Sequence, residues 1–251
     1  MAEPLRNYQS RVANAGARTD VAIDEGLRSY MNKVYSLMGI AMLVTAGTAY
    51  GLHALAIGPD GQATQLGQAI YFSPLKWVIT FLPLVLVFAF GAAVNRLSTA
   101  GATVLFYVFS AAMGASLSWI FLAYTDMSIV QTFVATAAGF AALSIYGYTT
   151  KRDLSGMGRF LMMGLIGLIV AMLINIFLKS PAMQFAISSL GVLIFAGLTA
   201  YDTQNIKNTY LQLANSDQDF LGKSAIMGAL TLHLDFLNLF MFLLQFMGNR
   251  E

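Results

Sequence analysis

The chain has 251 residues, of which 57% are hydrophobic and only 10% charged, with a formal net charge of +2. A soluble domain is about 45–50% apolar and about 25% charged, so this composition excludes one and indicates an all-α polytopic membrane protein. The absence of cysteine excludes a disulfide framework and a thiolate zinc site, two histidines (His53 and His233) argue against a histidine-rich metal centre, and so small a charge does not suggest a nucleic-acid partner.

The polar N-terminal stretch, residues 1–28, lacks the apolar core of a signal peptide and is expected to stay as a cytoplasmic tail ahead of one membrane domain, residues 29–251. A membrane helix needs roughly 20 mostly apolar residues. Seven segments qualify: 31–52, 74–95, 101–124, 128–148, 158–178, 183–203 and 224–247. The runs are near-continuous and do not alternate, which excludes an outer-membrane barrel. Small residues within the spans, such as Gly47, Gly51, Gly164 and Gly167, are expected to let helices approach closely.

Lys and Arg placement sets the orientation. With the N-terminus inside, Arg6, Arg11, Arg18, Arg28, Lys33, Arg96, Lys151, Arg152, Arg159, Lys207 and Lys223 fall on the cytoplasmic side. Only Lys76, Lys179 and Arg250 fall opposite, and an odd helix count sends the C-terminus there too.

Two aspartates interrupt the last two spans, Asp202 in LIFAGLTAYDTQNIK and Asp235 in GALTLHLDFLNLFMFLLQF. An ionised carboxylate near a bilayer centre costs about 2.5–3.5 kcal/mol even on the mildest scale, and intramembrane acids mark ion paths, proton relays or catalytic pairs. Residues three or four apart share a helix face. Asp235 thus shares a face with Thr231, Asn238 and, further on, Gln245, while Asp202 follows Gln184, Ser188, Gly191, Phe195 and Thr199. Both carboxylates are expected to point into the bundle. The segment bounds leave them roughly 10–15 Å apart in depth, a mismatch that shrinks if the sixth helix continues to about Tyr210.

Two carboxyls in contact share a proton and titrate as a unit, which makes a pH sensor. Deprotonated, they offer hard oxygen ligands suited to calcium, but too few for tight binding, so transient binding is expected. Arg96, at the cytoplasmic end of the second span, can anchor topology there. It can also form a salt bridge with Asp202 that closes the cytoplasmic mouth. His233 lies two residues before Asp235 and is read as a packing histidine.

GLTAYDTQNIK (197–207) followed by LHLDFLNLFMFLLQFMG (232–248) resembles the paired signature of the Bax inhibitor-1 family, also called the transmembrane Bax inhibitor motif family. Asn175-Ile176-Phe177 and the Arg96 region leading into FYVFSAAMGASLS add to the resemblance, which covers about residues 30–248. The polar N-terminal stretch and the Thr-Gln after Asp202 are similar to the bacterial branch. The resemblance implies seven helices, the last enclosed by the first six as two three-helix layers. It also implies a pH-sensitive calcium leak governed by an aspartate pair, matched by Asp202 and Asp235, with Arg96 matching a latch arginine. Eukaryotic members carry a charged C-terminal tail linked to cell-death control. This sequence ends Gly248-Asn249-Arg250-Glu251, and cell-death activity is not expected of it.

The sequence therefore reads as an acid-modulated calcium leak rather than an enzyme, with Asp202 and Asp235 as ion ligands and sensor, Arg96 as latch, and Thr199, Thr231 and Asn238 as a supporting stripe. Its expected partners are calcium ions, protons and lipid, with no resident cofactor, and its expected location is a bacterial inner membrane. One alternative is a regulator that binds a membrane protease or another membrane partner. Another is an intramembrane aspartyl protease: Tyr201-Asp202 suits it, but Leu232-His233-Leu234-Asp235 stands where Gly-x-Gly-Asp is needed. A retinal pump is excluded because no lysine follows Lys223.

Overall fold

The computed structural model describes the backbone over residues 3–94, 96–214 and 217–249, and the side chains of that set from residue 23 onward. Long helices α1 (Glu3–Ala56), α2 (Leu75–Ala93), α3 (Thr99–Leu117), α4 (Asp126–Thr149), α5 (Ser155–Leu178), α6 (Pro181–Leu213) and α7 (Gln218–Met247) carry the chain. A short turn of helix, Ile120–Ala123, prolongs α3. Each of the seven is long and apolar enough to cross a membrane. The β pairing among the described residues is confined to isolated bridges, one of them between Ile57 and Ala63.

Local chemistry marks the helix ends. Ser98, Thr125 and Ser180 cap α3, α4 and α6, each accepting a backbone N–H of the first turn, and Pro181 follows its cap at the position where a missing N–H costs nothing. Lys179 ends α5 in the left-handed region at φ 50°. Thr64 Oγ1 donates to the carbonyls of Leu55 and Ala56, satisfying the end of α1 from the following loop.

The helix bounds differ from the apolar runs in one consequential way. Helix α6 continues to Leu213, past the expected end at 203, and α7 begins at Gln218, ahead of 224. The extra turns carry Gln204, Lys207 and Lys223, polar residues that a hydropathy window discards. They bond to the protein rather than to solvent alone.

Burial is graded. Helix α7 is the innermost, with two thirds of its apolar window (67%) inside the protein, against 6% for α5 and 11% for α2. It packs on α1, α3, α4 and α6, while α2 lies beside α3 and α5 beside α6. The outward faces of α2 and α5 are rows of exposed Leu, Ile, Val, Phe and Met, as lipid contact requires. Close helix approach occurs at Gly114, where any side chain would collide with the α1 backbone at Thr45. It does not occur at Gly47, Gly51 or Gly167, which face open space, because spacing alone does not say which side of a lipid-exposed helix meets a neighbour.

Candidate functional site

Helices α6 and α7 form the most extensive pairing in the molecule, and both intramembrane aspartates lie on it. The Asp202 and Asp235 carboxyls lie within interacting range of each other. The added turns of α6 remove the depth mismatch left by the apolar runs. Asp235 is buried, at 5% exposure, and Asp202 is partly buried. Asp235 Oδ2 is buried without a hydrogen-bond partner among the described residues.

Two carboxyls this close in an apolar site cannot both ionise cheaply, and a proton held between them would let one donate to the other. Among the described residues no third His, Asp or Glu joins them. The donor set is thus two carboxyls, too few for a resident metal ion with 6–8 oxygen ligands.

The polar neighbours expected to support the pair are otherwise engaged. Thr199, Thr231 and Asn238 each donate to the carbonyl four residues back in their own helix, Phe195, Met227 and Leu234, at 2.8, 3.1 and 2.8 Å. Their side chains satisfy local backbone instead of reaching across, a common choice for short polar side chains in apolar surroundings.

Support comes from residues that the aspartate-centred reading passed over. Gln204, buried, accepts from the Leu154 N–H and donates to the Arg152 carbonyl, both at 2.8 Å, tying α6 to the connection between α4 and α5. Thr203 Oγ1 lies 3.4 Å from Ser144 Oγ on α4, with the Tyr35 hydroxyl of α1 close by. Lys207 Nζ donates to the Tyr148 carbonyl at 2.7 Å, capping the end of α4. The signal was present in Asp202-Thr203-Gln204-Asn205, a polar density greater than one functional carboxylate needs.

Arg96 is not joined to the pair. It is exposed in the turn after α2, and the ion pair found among the described residues is Lys223–Asp219, at 2.8 Å. The expected Arg96–Asp202 bridge is not formed because Asp202 lies well inside the elongated α6, turned toward Asp235. Asp219 also accepts from Thr99 Oγ1 at 2.6 Å, so the start of α7 is fastened to the start of α3 beside Arg96 without it. His233 points away from the pair. Its Nε2 lies 3.3 Å from Thr45 Oγ1, and its ring meets Phe106 and Phe109 edge-on, in keeping with a packing role.

Further along the same seam the polar stripe reappears as a neutral network. Gln184 Nε2 donates to Gln245 Oε1 at 2.9 Å, Asn175 Nδ2 to Gln184 Oε1 at 3.1 Å, and Ser188 Oγ sits 3.5 Å from Gln245. These residues line a cavity of about 490 Å³ at the opposite membrane face. Between it and the aspartates lies an apolar block, Phe195 stacked on Phe242 at 5.7 Å, with Leu198 and Leu239. A Cβ at Gly191 would sit 2.5 Å from the Phe242 ring, so the missing side chain is what admits the stack.

The family model described as "Inhibitor of apoptosis-promoting Bax1" matches residues 27–251. The chain is 45% identical over 229 residues to the inner membrane protein YbhL of Escherichia coli strain K12, covering 90% of this chain and 94% of that one. It is 44% identical over 236 residues to an uncharacterized protein of Caulobacter vibrioides, covering 93% and 94%, and 43% identical over 229 residues to an uncharacterized protein of Rickettsia prowazekii, covering 91% and 92%. A match over nearly the whole helical domain, with the two aspartates on its last two helices, places this chain in the Bax inhibitor-1 family as a multi-pass membrane protein.

Proposed function

We propose that the protein is a pH-modulated, calcium-permeable leak, with the Asp202–Asp235 pair as its ion-binding step. One observation carries the reading: two carboxyls face each other at the α6–α7 seam, and Asp235 Oδ2 is buried without a hydrogen-bond partner among the described residues. A structural role alone is a poor account of that arrangement, because apolar side chains would fill the space at lower cost. A divalent cation can exchange for the shared proton and meet two carboxylate oxygens, taking the rest of its shell from water and backbone carbonyls.

The sign of the pH effect follows from that exchange. Protons compete with the cation, so calcium affinity falls as pH falls. Conduction needs binding strong enough to enter and weak enough to leave. Mild acid therefore speeds release and raises flux, and stronger acid neutralises both ligands and lowers it again. Without an Arg96–Asp202 contact in this conformation, the modulation rests on the pair itself. In this reading the Phe195–Phe242 stack, which lies between the pair and the cavity at Gln184 and Gln245, is the closed gate.

The distribution of Lys and Arg supports a cytoplasmic N-terminus, and the name of the E. coli relative supports a bacterial inner membrane. The protein is not read as a protease. Leu232-His233-Leu234-Asp235 stands where small residues are needed, and Leu232, Phe236 and Leu239 are buried around Asp235. The test is calcium entry into dye-loaded proteoliposomes. Flux that is the same in Asp235→Asn as in the wild type would refute the reading.

A further inference from the structure

A second site lies away from the aspartates, at the membrane face where α2 begins and α3 ends. A cavity of about 360 Å³ is lined there by Tyr71, Lys76, Trp77, Thr80, Ser116 and Trp119, over an apolar floor. That volume is within the range of small-ligand sites. Both tryptophans of the chain stand on it, and both are exposed, so it opens sideways toward lipid. Tryptophan and lysine at one depth mark the headgroup region of a bilayer.

The polar groups are donors. The Lys76 ammonium lies 5.4 Å from the centre of the Trp77 ring, and among the described residues it has no carboxylate partner. The first turn of α2 contributes further positive potential at the same rim. The Tyr71 hydroxyl is buried beside Ser118 without a well-formed hydrogen bond, while Ser118 Oγ donates to the Ala115 carbonyl at 2.8 Å. Burial holds the Tyr71 phenol above its ordinary value of 10, so it remains a donor at physiological pH. Tyr71 stands on a turn of π-helix, Gln68–Phe72, a rare geometry that often marks function. Ser116 Oγ donates to the Thr80 carbonyl at 3.3 Å and bridges α3 to α2 across the cavity.

An unneutralised cation and a free phenol above apolar walls suit a ligand with an anionic head and an acyl tail. We propose that this cavity binds the headgroup of an anionic glycerophospholipid from the adjoining leaflet, with its phosphate on Lys76 and Tyr71 and its chain along Ile79 and Leu122. The assignment is independent of ion conduction.

The two tryptophans make the site self-reporting. The full chain is reconstituted in bilayers that contain brominated-chain phosphatidylglycerol or brominated-chain phosphatidylcholine, and tryptophan quenching is titrated against lipid fraction. One basic residue near a charged headgroup gives a preference for the anionic lipid of about fivefold. Lys76→Gln should reduce that preference to about one, Lys179→Gln at the same face should leave it in place, and raised salt should weaken it in the wild type. Equal quenching by both lipids would mean an ordinary annular lipid only and overturn the proposal. So would an unchanged preference in Lys76→Gln, or displacement of the lipid by millimolar glycerol phosphate.

Discussion

The α6–α7 seam carries two polar clusters, and they solve the burial problem in opposite ways. Near the basic face, Asp202 and Asp235 face each other and Asp235 Oδ2 is buried without a hydrogen-bond partner among the described residues. At the other end, Asn175, Gln184, Ser188 and Gln245 bond in a chain of neutral amides and a hydroxyl. A satisfied neutral network fixes two helices against each other at little electrostatic cost. An under-coordinated acidic pair does that job badly and gains only if a proton or cation visits it. On the proposed reading, the same two helices hold a structural contact at one end and an ion-binding one at the other.

The sharpest way to break the comparison is to neutralise each end in turn. Asp235→Asn is expected to lower calcium flux by at least about tenfold, a loss of more than about 1.4 kcal/mol of stabilisation along the path. Gln245→Leu, at the neutral end, is expected to change flux by less than about twofold. Equal losses in the two variants would show that the seam responds as one structural unit.

The apolar block between the clusters gives the next largest effect. Phe242→Ala removes one ring of the stack and is expected to raise basal calcium flux several-fold, while lowering stability by about 3–5 kcal/mol. A drop in flux together with the lost stability would mean that the stack is only packing. Gln204→Ala leaves the Leu154 N–H and the Arg152 carbonyl without partners and is expected to cost about 1–3 kcal/mol in a reversible unfolding assay. Asn175→Ala, in the neutral network, is more exposed and should cost less. Arg96→Gln should be the mildest change, with flux within about twofold of wild type, since Arg96 is exposed and unpaired with Asp202.

Much of this was legible in the residues, for a physical reason. In a bilayer every span must be long and apolar, so seven helices and two anomalous aspartates stand out from composition alone. The i, i+3 and i+4 spacing that put Gln184 and Ser188 on the Asp202 face, and Gln245 on the Asp235 face, also holds in the structure, because helical geometry is insensitive to what surrounds it. What did not carry over depends on side-chain choice. Thr199, Thr231 and Asn238 lie at stripe positions yet bond to their own backbones. Arg96 sits at the correct face but in a turn, where its long side chain is free to point to solvent. The grouping of Tyr71, Lys76, Trp77 and Trp119 was invisible, because it joins two helices and a π-turn whose contact no sequence spacing encodes.

The most direct measurement is calcium flux into proteoliposomes from pH 8 to below pH 6, comparing the wild type with Asp202→Asn/Asp235→Asn, with circular dichroism to confirm that both retain their helices. The wild type should show flux that rises as pH is lowered from 8, passes a maximum and falls again, while the double variant stays low and flat. A double variant with wild-type flux and the same pH profile would contradict the assignment of the Asp202–Asp235 pair as the ion-binding step.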